Sequence, residues 1–217
     1  MQLKSIIFDF DGVIVESVDI KGWAFGKLFE CYPEFIDEIT DFHIENGGMS
    51  RFDKFRYIYE NIINEDLSKS EFDRLCDAFS KLVVNRIVSC EYVEGAADFL
   101  NKYHDKIDLF IVSGTPHEEM HKIAKARGIF EYFKGIYGSP ITKNIWIKKI
   151  LKEEKLDSDK IVFVGDALSD YNAAKEHDIP FIGRITNSKK NVFKGKEIEL
   201  MINNFFELEN YISRFIY

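Results

Sequence analysis

Four short stretches of the chain are apolar at nearly every position and rich in β-branched and aromatic residues: "SIIFDF" from Ser5, "DLFIVSG" from Asp108, "KIVFVGD" from Lys160 and "IPFIGRI" from Ile179. Runs this short, without strict alternation, predict strands covered on both faces, as in a parallel sheet. Between them the period lengthens. "PHEEMHKIAKARGIF" and "NIWIKKILKEEKL" place apolar residues three and four apart with charged residues between them, which predicts amphipathic helices. Strand and helix in alternation predict an α/β fold, a Rossmann-like parallel sheet with helices on both faces, whose ligands bind outside the carboxyl ends of the strands.

From about Glu16 to Ser89 the alternation stops. "DIKGWAFGKLFECY", "SRFDKFRYIYENII" and "SEFDRLCDAFSKLVVNRIV" are amphipathic at helical spacing, with no strand pattern among them. An all-helical domain over 16–89, inserted in a core made of 1–15 and 90–217, is therefore expected. Ser50 is placed to cap the second of these helices, and "NGGM" ahead of it to be a flexible loop. The tail from Lys189 offers a short run "IELMI" and an amphipathic "FFELENYISRF", expected to cover a sheet edge and pack on the core.

Composition narrows the partners. Hydrophobic residues at 46% and charged residues at 30% are ordinary for a folded domain and exclude disorder. The net charge of -8, from 29 Lys and Arg against 37 Asp and Glu, argues against nonspecific nucleic-acid binding, which needs a basic face. Cys31, Cys76 and Cys90 lack zinc-site spacing and, being odd in number, do not suit a disulfide framework, so packing roles are expected. No stretch is long and apolar enough to span a bilayer and the first residues lack the pattern of a signal peptide, which makes no membrane and a cytosolic location the expectation.

The polar residues that break the apolar runs fall at the predicted carboxyl ends of the strands. In "FDFDG", Asp9 and Asp11 are two apart and so point the same way from a strand, with Gly12 free to turn beside them. Crowded like charges need an offset, either a cation or one group held protonated. Asp9 could be a nucleophile and Asp11 an acid and base that protonates a leaving oxygen and later deprotonates water. An Asx turn at a strand end is the plainer alternative. Ser113 and Gly114 in "VSGTP" could offer a hydroxyl and backbone N–H groups to a phosphate, or merely connect two elements. Lys143, just ahead of a predicted helix, could neutralise a carboxylate and hold a phosphoryl oxygen, or be a solvated surface group. In "VGDALSD", Asp166 could complete an oxygen shell for Mg²⁺, and Asp170, a turn further on, could orient water or Lys143; the alternative is a helix cap followed by a surface acid.

The four motifs in this order, DFDG, VSGT, Lys143 and GDALSD, resemble the haloacid dehalogenase superfamily over nearly the whole chain. The helical insert after the first motif is similar to the cap of the subfamily that holds phosphoglycolate phosphatases and β-phosphoglucomutases. The resemblance implies that Asp9 accepts the phosphoryl group, that Asp11 is the acid and base and also meets Mg²⁺ through its backbone carbonyl, that Ser113 and Lys143 hold the phosphoryl group, and that Asp166 binds the metal beside Asp170. An acid at position 11 favours phosphate esters over carbon–halogen bonds, since a halide leaves without a proton.

The stretch "GGMSRFDKF" resembles the cap loop of the β-phosphoglucomutases, which implies that Arg51 meets the distal part of the substrate; the alternative is a solvated arginine in the first turn of a helix. Lys21 stands where those mutases carry a histidine, which weakens the mutase reading. The expectation is a Mg²⁺-dependent phosphatase for a small phosphorylated metabolite, a sugar phosphate or a phosphoglycolate-like acid. Its rivals are a β-phosphoglucomutase-like phosphotransferase and a non-catalytic module that senses a phosphorylated ligand.

Overall fold

The computed structural model describes residues 2–186 and 191–216. Six strands, β1 (Ser5–Phe8), β2 (Asp108–Pro116), β3 (Gly135–Ser139), β4 (Ile161–Gly165), β5 (Phe181–Arg184) and β6 (Leu200–Ile202), form one sheet in the order β3-β2-β1-β4-β5-β6. Every pairing is parallel. Side chains of the inner strands alternate between two cores. Ile6 and Phe8, Leu109 and Ile111, and Val162 and Val164 enter one; Ile7, Phe110 and Val112, and Ile161 and Phe163 enter the other. Both faces of these strands are thus dry, which is why their sequences run apolar without a break.

Nine helices are described: α1 (Val18–Leu28), α2 (Ile36–Glu45), α3 (Arg51–Tyr57), α4 (Lys69–Ser89), α5 (Ala96–Tyr103), α6 (His117–Ala126), α7 (Lys143–Glu154), α8 (Leu168–Glu176) and α9 (Phe205–Ile212). On one face of the sheet Phe8 stacks on Phe205 and meets Phe99 edge-on, which seats α5 and α9. On the other face Ile147 and Ile150 of α7 and Tyr171 of α8 pack with Phe110 and Phe163. The "IELMI" run contains β6, paired with β5, and "FFELENYISRF" contains α9; Lys189 and Lys190, where the tail begins, lie outside the described residues. Strand β3 lies in a stretch whose two glycines hide it from the apolar pattern. No helix among the described residues is long and apolar enough to cross a membrane.

Between β1 and α5 the described chain is helical, with an aromatic core of its own in which Phe25 lies 4.9 Å from Phe79 and 5.6 Å from Phe55. The chain enters and leaves this stretch side by side: Glu16 N–H donates to the Glu91 carbonyl at 3.0 Å, and Val93 N–H to the Ile14 carbonyl at 3.0 Å. Ser50 caps α3 by accepting from the Asp53 N–H. Helix α3 then widens into a π-helical stretch, Ile58–Ile63, ended by Asn64 at φ 58°. Cys76 and Cys90 pack partly buried against the core, but Cys31 is exposed, a correction to its expected packing role. It falls in the turn after α1, beyond the helix's buried face.

Candidate active site

The strand order reverses at β1, so the carboxyl ends of β1 and β4 open the crevice in which α/β sheets bind ligands. Asp9 directly follows β1 and Asp166 directly follows β4. The Asp9 N–H continues the ladder to the Val164 carbonyl at 2.9 Å, which fixes the residue's backbone. Gly12 turns the chain at φ 75°, and a Cβ there would stand 2.6 Å from Asp166 Oδ2 and 2.7 Å from Val18 Cγ2. Both the turn and the approach of the two loops therefore require glycine.

Lys143, the first residue of α7, reaches back into the crevice with its Nζ 2.9 Å from Asp9 and 2.5 Å from Asp170. Asp170 is fully buried. One of its oxygens takes Lys143, and the other accepts the N–H groups of Asp166 at 3.1 Å and Ala167 at 3.0 Å. Asp170 thereby locks both the lysine and the loop that carries Asp166. Burial alone would lower the Lys143 ammonium, but Asp170 and Asp9 more than offset it and hold it above the ordinary lysine value. Burial pushes the Asp9 carboxyl up to about 6 against the pull of Lys143. Asp170 is raised for the same reason, with Lys143 opposing.

Asp11 is held differently. Its carboxylate accepts from Ser17 Oγ at 2.6 Å, from Lys21 Nζ at 2.5 Å and from Thr115 Oγ1 at 2.9 Å, and Lys21 also donates to Thr115 Oγ1 at 2.9 Å. Burial would raise this carboxyl, yet Lys21 and the two hydroxyls outweigh it and hold it below the usual carboxylate range. Asp11 is thus ionised and turned toward Lys21. Among the described residues, the buried carboxylates able to share one ion are Asp9, Asp166 and Asp170, whose ligand atoms lie within 4.8 Å of one another. Carboxylate oxygens gathered this closely suit a hard divalent cation. The residues present fit Mg²⁺.

A cavity of about 260 Å³ lies over these strand ends. Asp9, Asp11, Asp166, Gly114 and Thr115 line it from the sheet, and Lys21, Phe25, His43, Arg51, Lys54 and Phe79 from the helices. Ser113 and Lys143 line an adjoining groove that shares Gly48, Met49 and Gly114 with the cavity. Ser113 is 2% exposed and its Oγ accepts the Thr115 N–H at 3.1 Å. The "NGGM" loop closes the floor of this groove: a Cβ on Gly48 would fall 1.7 Å from Ser169 Oγ, and one on Gly114 would lie 3.3 Å from the Gly48 carbonyl oxygen.

Arg51 lines the cavity but is not solvated; it is 5% exposed. Its guanidinium takes both oxygens of Glu119 on α6, donates to Ser80 Oγ at 2.7 Å and lies 4.5 Å from the Phe79 ring centroid. A substrate group would have to compete with a buried carboxylate for it. Thr115 and Lys54 lie inside the VSGT and GGMSRFDKF motifs, but neither motif assigns them a role, and Lys21 enters the sequence reading only as the replacement of a histidine. For Lys54 a signal existed: Arg51, Lys54, Phe55 and Ile58 fall at i, i+3, i+4 and i+7, so the buried face of α3 carries two cations.

The haloacid dehalogenase-like hydrolase family model matches residues 6–184. No curated protein sequence matches the chain. Among solved structures, a haloacid dehalogenase-like family hydrolase from Streptococcus pneumoniae is 19% identical with a TM-score of 0.74, covering 97% of this chain and 98% of its own. CbbY from Rhodobacter sphaeroides, in complex with phosphate, is 18% identical with a TM-score of 0.73, covering 95% and 96%. The hydrolase YfnB from Bacillus subtilis, bound to magnesium, is 16% identical and covers 98% and 100%. At these identities the likeness is one of fold.

Proposed function

The chain belongs to the haloacid dehalogenase-like hydrolases, and from that premise we propose that it is a Mg²⁺-dependent phosphatase of a small phosphorylated metabolite. The observation that carries the reading is the pairing of Asp9 with Lys143 at the crevice, while Asp11 lines the same cavity outside the carboxylate cluster. One carboxylate is placed for attack and the other for proton transfer. The phosphate held by the Rhodobacter protein and the magnesium held by the Bacillus protein support the same chemistry.

In this reading Asp9 attacks phosphorus in line and forms an aspartyl phosphate, releasing the alcohol. Asp11 gives its proton to the departing oxygen and takes one from the water that then attacks the aspartyl phosphate. The ionised state held by Lys21 suits the second step; the first requires Asp11 to turn from Lys21 and carry a proton. Lys143 neutralises Asp9 and meets the phosphoryl oxygens beside Ser113 and the Gly114 backbone. Asp9, Asp166 and the Asp11 carbonyl would hold Mg²⁺, which supplies positive charge against the phosphoryl group when bound. We take residues 16–89 as the cap, pivoting where the two connecting segments, 14–16 and 91–93, are hydrogen-bonded side by side, with a closure that excludes water from the cavity.

Phosphate release from a panel of sugar phosphates, phospho-acids and nucleotides tests this, with Mg²⁺ or chelator and with Asp9→Asn as the blank. Release that needs the metal and disappears in the variant is expected. Full release by a folded Asp9→Asn would overturn the mechanism, and isomer exchange without net phosphate would replace hydrolysis by phosphoryl transfer.

A further inference from the structure

The cavity over the crevice has two kinds of wall. Its cations are engaged within the fold: Lys21 by Asp11 and Thr115, Arg51 by Glu119 and Ser80, and Lys54 by His43. The rings of Phe25 and Phe79 are engaged too, the first stacked on His43 at 4.4 Å between centroids and the second beneath the Arg51 guanidinium at 4.5 Å. Trp23 on α1 and Ile44 on α2 differ. Both line the cavity, yet they are 42% and 45% exposed. Arg86 on α4, which is not part of the cavity wall, lies 3.9 Å from the Trp23 ring centroid and so covers one face of the indole from outside. The ring is thereby held in place with its opposite face open.

Resting on the phosphatase reading, we propose that Trp23 and Ile44 form a subsite for a planar, uncharged ring in the alcohol half of the substrate, the half that leaves when phosphorus is attacked. The substrate class narrows to small phosphomonoesters whose alcohol carries one aromatic or heteroaromatic ring. Three features converge on this. Trp23 shares with Asp9, Asp11 and Asp166 one cavity of about 260 Å³, at the small end of ligand pockets, so a single ring beside the phosphoryl group fits it better than a larger body. An indole and an isoleucine left in water gain when a ligand covers them, and a flat π-face is covered best by another ring. Charge at this end argues in the same direction: Asp19, one turn before Trp23 on the same side of α1, also lines the cavity, and its carboxylate repels an anion placed against the indole. A polyol phosphate would leave Trp23 and Ile44 wet, and would gain from the engaged cations only by displacing their partners.

The test compares three phosphate esters of primary alcohols on the wild-type enzyme with Mg²⁺: benzyl phosphate, cyclohexylmethyl phosphate and the primary phosphate ester of glycerol. In each the phosphate hangs from a methylene group, so the leaving oxygens are alike and differences in kcat/KM report on what holds the rest of the alcohol. A preference for benzyl over glycerol phosphate of at least about tenfold is expected, with cyclohexylmethyl phosphate between them. Trp23→Ala should shrink that preference by about tenfold, chiefly through KM, and Trp23→Phe should retain part of it. Trp23→Leu replaces the alanine variant if that one does not fold. No release from these esters or from the wider panel would overturn the phosphatase reading itself. Release without preference for a ring would leave that reading intact and overturn this one, as would cyclohexylmethyl phosphate matching benzyl phosphate, or a benzyl preference that survives in folded Trp23→Ala.

Discussion

Replacing Asp9 by asparagine separates what this carboxylate does for chemistry from what it does to the fold. Asp9 is 4% exposed, and burial pushes its carboxyl up to about 6, with Lys143 opposing and the neighbouring Asp170 and Asp11 adding to the rise. In the unfolded chain the same group titrates near about 4. Between those values the folded protein keeps the proton and the unfolded chain has lost it, so stability falls as pH rises through this window. Two units correspond to about 3 kcal/mol, the most that an amide of the same shape can restore once the charge is gone. At pH 7.5 with chelator, Asp9→Asn is therefore expected to raise the unfolding free energy by up to about 3 kcal/mol and the Tm by several degrees. The gain should shrink toward pH 4, where the wild-type carboxyl is itself protonated. Mg²⁺ should narrow the difference by stabilising the wild type, which binds it as the carboxylate. Phosphate release should be lost in the same variant. Urea and thermal unfolding at pH 4.5 and 7.5, with and without Mg²⁺, read all of this; an asparagine variant that is less stable at pH 7.5, or whose gain ignores pH, would refute the reasoning.

Three further predictions follow from neighbouring contacts. Lys143→Met leaves Asp9 and Asp170 buried without their shared cation, and is expected to cost about 3–5 kcal/mol in urea unfolding without metal, partly restored by Mg²⁺, together with activity; equal stability to wild type would count against the buried ion triad. Lys21→Met removes the main group that holds the Asp11 carboxyl down, so Asp11 keeps its proton to higher pH and the basic limb of the kcat/KM profile, which covers the step in which Asp11 donates to the leaving oxygen, should move to higher pH; an unmoved limb would show that Asp11 is not that acid. Gly48→Ala should lower stability by about 1–3 kcal/mol through its contact with Ser169 Oγ, and Ser169→Ala in the same chain should rescue only part of it, since Ser169 Cβ at 3.0 Å and Ala167 Cβ at 3.2 Å remain; full rescue in thermal melts would contradict this geometry.

The inner strands stand out in the sequence, β6 shows only as the short run "IELMI" and β3 does not show, for one physical reason. β1, β2, β4 and β5 have a strand on each side and a core on each face, so almost every residue is apolar. β3 and β6 are edges. β3 carries two glycines in five residues, and Met201 of β6 is 45% exposed, so neither makes the continuous run that marks a buried strand. Helix α2 escaped notice similarly, because only Ile39 and His43 of its ten residues are buried.

The candidate site divides along the same line. A residue that follows an inner parallel strand is delivered to the crevice by the sheet itself, whatever the helices do, so Asp9 and Asp166 could be placed from local pattern alone, and Ser113, inside β2 but beyond its last pair with β1, nearly so. A helical residue turns by about 100° with each step, so its direction depends on which face the packing buries. That packing joins distant parts of the chain: Thr115 reaches Asp11 across 104 positions, and Arg51 reaches Glu119 across 68. The loop motif points to Arg51, yet three residues on, at the same face of α3, Lys54 lines the same cavity and donates to His43 on α2. Two cations on the buried face of one helix cannot both be solvated, so each needs a partner from elsewhere in the fold or from a ligand. Glu119 on α6 answers for Arg51 and His43 on α2 accepts from Lys54, partners that come from other helices and that no pattern within α3 could name.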